Sequence, residues 1–280
     1  MIGEASPRVE DRKFLTGAGK YLDDLEFPDV CHAVFIRSPH AHARILSLSA
    51  AIAKEMPGVL DIITADDVEL SKLNALKPFV QENPNTGEAF SFVEQPLLAR
   101  NVVRYQGEPV VLVVAETVAQ ALDASEVVEI EYSPLPHVVD GKEAARPGSI
   151  KLNSQLDENI AVKWNTGNSQ EIENVFNSAD NVVKLTVQNQ RIVTNPMEPR
   201  GVVAEWNIST GRYTLYGSSQ NIHVMRTCVA DMLGVAEASV RFIAPDVGGG
   251  FGSKNFCYTC LLYTSPSPRD LSTSRMPSSA

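Results

Sequence analysis

Positive charge is scarce in this chain: 24 lysines and arginines stand against 34 aspartates and glutamates, a net charge of −10. A phosphate-binding surface must be basic, so nucleic acid is excluded as a partner. Long apolar runs are missing as well. None reaches the roughly 20 residues that cross a bilayer, so no membrane-spanning segment is expected. The opening stretch, MIGEASPRVEDRKF, lacks the apolar core of a secretory leader, which points to the cytoplasm. Cysteine is sparse, and Cys31, Cys228, Cys257 and Cys260 form no disulfide framework. Cys257 and Cys260 have CxxC spacing, but a zinc or iron–sulfur site needs about four ligands and there is no second pair. His40 and His42 read as members of a surface loop with their own hydrogen-bond partners. What remains is an ordinary globular composition, 44% hydrophobic and 21% charged in 280 residues, enough for one large domain or two ordinary ones.

The pattern along the chain is mixed α and β. Residues 31–47 read as two short strands broken at Ser38–Pro39, followed by a helix at SAAIAKEMPG with Ser49 as N-cap and a stop at Pro57–Gly58. VLDIITA reads as a strand, and 70–95 as a long polar excursion. PVVLVVA, from Pro109, is a continuous β-branched run, the mark of a strand covered on both faces. With the helix TVAQALDASE, opened by Thr117, and the strand VVEIEY, it predicts a crossover unit. Residues 133–149 carry three prolines and two glycines and mark a domain boundary. Beyond it, NIAVKWNTGN predicts a strand and turn. SQEIENVFNSA predicts a helix with Asn168 and Glu171 at capping-box spacing, and NVVKLTVQNQRIV a long alternating strand. A hairpin follows over GVVAEWNISTGRYTLYGSS, turning at Asn207–Gly211. Ile222, Met225, Val229, Met232 and Leu233 then share one helix face, and Gly234 stops that helix. The strand SVRFIA delivers the chain to a glycine loop.

That loop, PDVGGGFGSK, has four glycines in the five positions 248–252, with Phe251 among them. It fails as a Walker A loop, because Ser253 precedes Lys254 and Asn255 follows it. It fails as a dinucleotide fingerprint, because Ser253 stands where the third glycine belongs. Glycine allows backbone to approach a ligand closely and to adopt positive φ. A bulky ring among glycines therefore suggests a tight loop with its N–H groups turned inward; a flexible glycine turn is the plain alternative.

VGGGFGSK resembles the cofactor loop of the xanthine dehydrogenase/aldehyde oxidase (molybdenum hydroxylase) large subunits. RVEDRKFLTGAGKYLDD at 8–24, AVFIRSPHAHARI, RYQGEPVVLVVAET, NPMEPRGVVAEW at 195–206 and LYGSSQNIHVMR at 215–226 resemble further family segments in the same order. The likeness runs over roughly residues 1–257 and is to the bacterial three-subunit type that includes carbon monoxide dehydrogenase. It implies an α+β chain: an N-terminal segment and a/b hammerhead domain at 1–140, a linker at 141–158, and the truncated start of a molybdenum-cofactor-binding α/β domain at 159–258. Beyond it a tail is set at 259–280, whose last stretch, 261–280, matches nothing in the family. Eleven of the twenty residues from 261 to 280 are Ser, Thr or Pro, and the stretch resembles the translated adapter that ends some gene fragments, so a non-native disordered tail is expected.

The resemblance also implies roles. Gln220 matches the glutamine that hydrogen-bonds an oxygen on molybdenum, and it precedes Phe251 by the family's 31 positions. Gly249, Gly250, Phe251 and Gly252 match loop residues that lie against the metal centre. Glu198 matches too, in a structural role; Arg200 and Arg226 are candidates to attract anions. The cofactor implied is molybdenum–molybdopterin in its cytosine dinucleotide form. The substrate implied is a small molecule: an aldehyde, an N-heterocycle or carbon monoxide. Electrons would leave through iron–sulfur clusters and FAD on partner subunits, a small and a medium one. The family's catalytic base lies several hundred residues beyond the loop, so no catalytic residue is expected here. Asn255 and Phe256 stand where the purine-oxidising branch carries a glutamate, which argues against xanthine. A non-catalytic binding or assembly module keeping the fold is the alternative.

Overall fold

The apolar run at 109–115 organises the molecule. The computed structural model describes residues 3, 5–78, 80–83, 86–164, 167–190 and 192–258; Cys260 and the expected tail at 259–280 lie outside them. The first elements are α1 (Asp11–Leu15), β1 (His32–Arg37), β2 (Ala43–Ser49), α2 (Ala51–Lys54), β3 (Val59–Ile63) and α3 (Ala65–Leu70). They are followed by β4 (Val102–Val103), β5 (Pro109–Ala115), α4 (Val118–Glu126) and β6 (Glu129–Pro134). The strand β5 is central in the sheet β1-β5-β3, antiparallel to both neighbours, with Phe35 opposite Leu112. Its alternate residues feed two cores, as a run without polar positions requires. Val111, Val113 and Ala115 pack with Ala53, Ala121 and Ala124, while Leu112 packs with Phe35, Met225 and Phe242.

The expected crossover is not formed by β5, α4 and β6. The strand β6 leaves for a second sheet, β4-β2-β6, and pairs antiparallel with β2. A continuous apolar run demands cover on both faces, and here helices and a second sheet supply it without parallel pairing. The chain's parallel unit lies further on. After α5 (Gly141–Ala144) and α6 (Ser169–Ser178) come β7 (Val202–Asn207), β8 (Arg212–Gly217), α7 (Ile222–Leu233) and β9 (Val240–Ile243). The strands β7 and β8 form the expected hairpin, and β9 returns parallel to β8 after α7.

Local signals hold well. The Thr117 side chain accepts from the Gln120 N–H and Asn168 from the Glu171 N–H. Met225, Val229 and Met232 are buried on α7, Ile222 at its start is exposed, and Gly234 closes the helix at φ 66°. Three expectations fail. The helix after Ser49 is one turn, Ala51–Lys54; Ser49 ends β2, and Ala50 at the N-cap offers no side-chain acceptor. The expected strand in 159–168 is not formed among its described residues. Neither is the long strand at 181–193, where Val183, Leu185 and Val187 are 93%, 82% and 77% exposed. Alternation gives a strand one apolar face, but a strand also needs a neighbour for its N–H and C=O groups.

Two compact units result, one drawn from Met1–Lys77, Gln95–His137 and Asn195–Ala280, the other from Pro78–Glu94 and Val138–Thr194. The second holds α5, α6 and a cavity of about 410 Å³ whose lining includes Asn83, Phe90, Leu156 and Glu158 and none of the sequence-predicted site residues. No helix among the described residues is long and apolar enough to cross a membrane.

Candidate functional site

The unit β8–α7–β9 brings its two ends together. Gln220 precedes α7, whose first turn is capped by Asn221 accepting from the Val224 N–H. The glycine loop follows β9. The Gly252 N–H donates to Gln220 Oε1 at 2.9 Å, and the Gln220 N–H donates to the Lys254 carbonyl at 3.0 Å. All five residues singled out in the sequence, Gln220, Gly249, Gly250, Phe251 and Gly252, therefore meet in one place. Gln220 and Gly252 touch directly, the amide oxygen against the backbone N–H. With its oxygen engaged by Gly252, the Gln220 amide keeps Nε2 as its available donor.

The loop needs its glycines for different reasons. A Cβ at Gly250 would lie 2.3 Å from Gln220 Cδ, and one at Gly248 would lie 2.5 Å from Glu198 Cβ. Gly249 and Gly252 adopt φ of 92° and 84°, and Phe251 between them adopts 49°. A bulky side chain in the left-handed region is a strained arrangement of the kind that clusters at ligand sites. Phe251 is 69% exposed, so burial of its side chain does not account for the strain. Among the described residues, the N–H groups of Gly249, Gly250 and Phe251 have no partner. Successive N–H groups without a protein partner remain free to donate to an anion or an oxo group.

Beneath the loop lies a polar cluster that was not legible as a unit. Lys254 is 1% exposed, and its Nζ donates to Glu198 Oε2 at 2.9 Å and Ser218 Oγ at 2.7 Å. Glu198 also accepts from the N–H groups of Gly248 (2.8 Å) and Leu22 (3.2 Å) and from Ser218 Oγ. Burial pushes the Glu198 carboxyl up, but the hydrogen bonds from Ser218, Lys254, Gly248 and Leu22 outweigh it and hold the group below the usual carboxylate range. Burial pulls the Lys254 ammonium below its ordinary value, with Glu198 opposing the shift. Asp246 anchors the loop's approach, accepting from Lys13 Nζ and from the Lys20 N–H at 2.7 Å. The sequence offered two separate signals for this cluster, Glu198 through the family resemblance and a lysine closing the glycine loop, but nothing that joined them. Of the anion candidates, Arg226 pairs with Glu237 at 2.7 Å, and the Arg200 guanidinium lies 4.0 Å from the centre of the Tyr258 ring.

A pH dependence follows. The folded value of Glu198 lies below the unfolded carboxyl's value of about 4.3, so its contribution is complete above that pH and is lost as pH falls through the folded value. At that point Lys254 is a buried ammonium without its carboxylate. Glu198→Gln is expected to cost the cofactor-free protein about 3 kcal/mol near neutral pH and to flatten the acid limb of its stability curve. Denaturant unfolding between pH 3 and 7 checks both; an acid limb unchanged by the substitution contradicts the assignment.

Comparison with known proteins places these features. Residues 16–136 match the domain described as "Aldehyde oxidase and xanthine dehydrogenase, a/b hammerhead domain", and 152–265 match "Molybdopterin cofactor-binding domain". The nicotine 6-hydroxylase large subunit of Paenarthrobacter nicotinovorans is 37% identical over 91% of this chain and 30% of its own length. The carbon monoxide dehydrogenase large chain of Afipia carboxidovorans is 34% identical over 92% of this chain and 32% of its own. Among solved structures, the Cu,Mo-CO dehydrogenase superposes with a TM-score of 0.82 at 33% identity, covering 93% of this chain and 33% of that one. Quinoline 2-oxidoreductase from Pseudomonas putida 86 gives 0.79 at 36% identity, covering 93% and 32%. The chain thus spans about a third of the length of these relatives.

Proposed function

Since the chain belongs to the xanthine dehydrogenase/aldehyde oxidase family, carrying its hammerhead domain and its molybdopterin cofactor-binding domain in order, we propose that it forms the N-terminal part of the catalytic large subunit of a molybdenum hydroxylase. The boundaries we assign are a hammerhead region to 140, a linker at 141–158 and cofactor-domain residues from 159 to 258. One observation carries the reading: the unengaged N–H groups at 249–251 stand beside the Gln220 amide, whose orientation is fixed by the Gly252 N–H. Donors converging from two segments suit a bulky, anionic, oxo-rich group, and the glycines leave it room to approach.

When bound, the molybdenum–molybdopterin cofactor supplies the redox chemistry at the substrate carbon. The residues here hold and orient it. Gln220 Nε2 and the free N–H groups of Gly249, Gly250 and Phe251 would donate to the cofactor's oxygens, and Phe251 would present an apolar side chain beside it. None of the residues described here is proposed as the catalytic base. The cytosine dinucleotide form of the cofactor is proposed, with iron–sulfur and FAD subunits as electron acceptors and the cytoplasm as location. Nicotine 6-hydroxylase and quinoline 2-oxidoreductase act on N-heterocycles by name, which favours that substrate class over an aldehyde or carbon monoxide.

The test is made on the complete large subunit purified with its partners. Molybdenum near one atom per subunit is expected in the wild type. Gln220→Ala is expected to lower turnover by roughly 10- to 100-fold while leaving the fold intact. Full turnover in that variant removes Gln220 from the site.

A further inference from the structure

We infer that Lys254 and Glu198 are the positioning pair of the cofactor loop, a buried brace that gives the glycine backbone its shape; the inference rests on the molybdopterin reading above. A run of glycines has the greatest backbone freedom of any sequence and no side chains with which to define itself. Its shape has to be imposed from outside. The brace does so at both ends of the loop. At the start, Glu198 accepts from the Gly248 N–H at 2.8 Å, and the Glu198 N–H donates to the Gly248 carbonyl at 3.2 Å. At the end, Lys254 reaches back to the same Glu198 Oε2 at 2.9 Å. The Lys254 carbonyl meanwhile accepts from the Gln220 N–H at 3.0 Å and from Ser219 Oγ at 3.3 Å. One ion pair thus sets the span of the loop and its distance from Gln220.

Stability alone is a poor reason for such a pair. Desolvating two charges costs about what their attraction returns, and apolar residues of similar volume often serve the fold equally well. The Lys254 side chain is 0% exposed and that of Glu198 11%, so the arrangement bears a substantial cost of desolvation. What an ion pair supplies and an apolar contact does not is direction. Glu198 Oε2 gathers an ammonium, a hydroxyl and a backbone N–H at one point. Lys254 and Glu198 need touch neither metal nor substrate to do this.

The experiment compares the complete large subunit, with its partners, as wild type, Lys254→Met, Glu198→Gln and the double variant. Each is assayed for molybdenum and pterin per chain, for the melting temperature of the cofactor-free protein, and for hydrogen exchange at the Gly252 amide. That amide bonds to Gln220 and to neither substituted side chain. Each single variant leaves a buried group without its partner, and both lose stability and cofactor. The double variant is expected to recover its melting temperature while molybdenum stays at least about tenfold below wild type and the Gly252 amide exchanges roughly tenfold faster. Recovery of molybdenum together with stability would reduce the pair to an ordinary core contact. An unchanged Gly252 exchange rate overturns the brace whether or not molybdenum binds. A wild type without molybdenum but with the exchange effect sinks the cofactor reading and leaves the brace standing. If the double variant does not fold, Ser218→Ala, which removes one uncharged partner of Lys254, is expected to speed Gly252 exchange by a few-fold, and no change there overturns the proposal.

Discussion

Gly250→Ala is expected to empty the site of the complete large subunit, lowering molybdenum per chain by roughly 10- to 100-fold. The added methyl would lie 2.3 Å from Gln220 Cδ and 2.5 Å from its Oε1. Either the Gln220 side chain leaves the Gly252 N–H or the loop moves away from α7. In both cases the amide loses the bond that aims Nε2. Overpacking of this kind costs about 1–3 kcal/mol, little for the whole fold but enough to move a short loop. Gly252→Ala is the control. It sits at φ 84°, with nothing within 4 Å of an added Cβ, so its penalty is backbone strain of about 1–2 kcal/mol without displacement of Gln220. Elemental analysis of the two purified variants distinguishes them. If Gly252→Ala loses molybdenum and Gly250→Ala keeps it, backbone strain governs the site and the Gln220 contact does not.

The difference between these glycines is invisible in the string GGGFG. What the sequence carried well was local. A cap reaches three residues, as at Thr117 and Asn168, and a helix face repeats within four, as at Met225, Val229 and Met232. Those interactions are complete within one element, so the letters alone announce them. Sheet membership is not local. The run at 109–115 announced burial on both faces, yet nothing in it said that β6 would pair with β2 and leave β5 between β1 and β3. The brace is less local still: Glu198 and Lys254 lie 56 residues apart, Lys13 and Asp246 233 apart. Gln220 and Gly252 were linked in advance only by family resemblance. From the residues alone, Gln220 was a polar side chain at the start of a helix, and a solvated hairpin end described it equally well.

Where alternation misled, it also marks a surface. In the isolated chain, trypsin is expected to cut after Lys184 at least about 100-fold faster than after Arg44, because local opening ranges from nearly free to the full cost of unfolding. Arg44 lies within β2, paired on both sides, with Val102 and Ser133 as its partners. Lys184 lies in 181–193, where the described residues form no strand and no backbone–backbone hydrogen bond joins them to the rest of the chain. The segment is nonetheless rich in apolar residues, and α6 before it exposes Ile172, Val175 and Phe176 at 53%, 63% and 59%. On the proposed reading, the rest of the large subunit supplies the neighbours that this stretch lacks. The same site in the complete large subunit should therefore resist cleavage, while Arg44 behaves alike in both. Mass spectrometry of the early digest reads the two rates. Equal rates at Lys184 and Arg44 in the isolated chain would mean that 181–193 pairs within the chain after all, and that the alternation in NVVKLTVQNQRIV had found its strand.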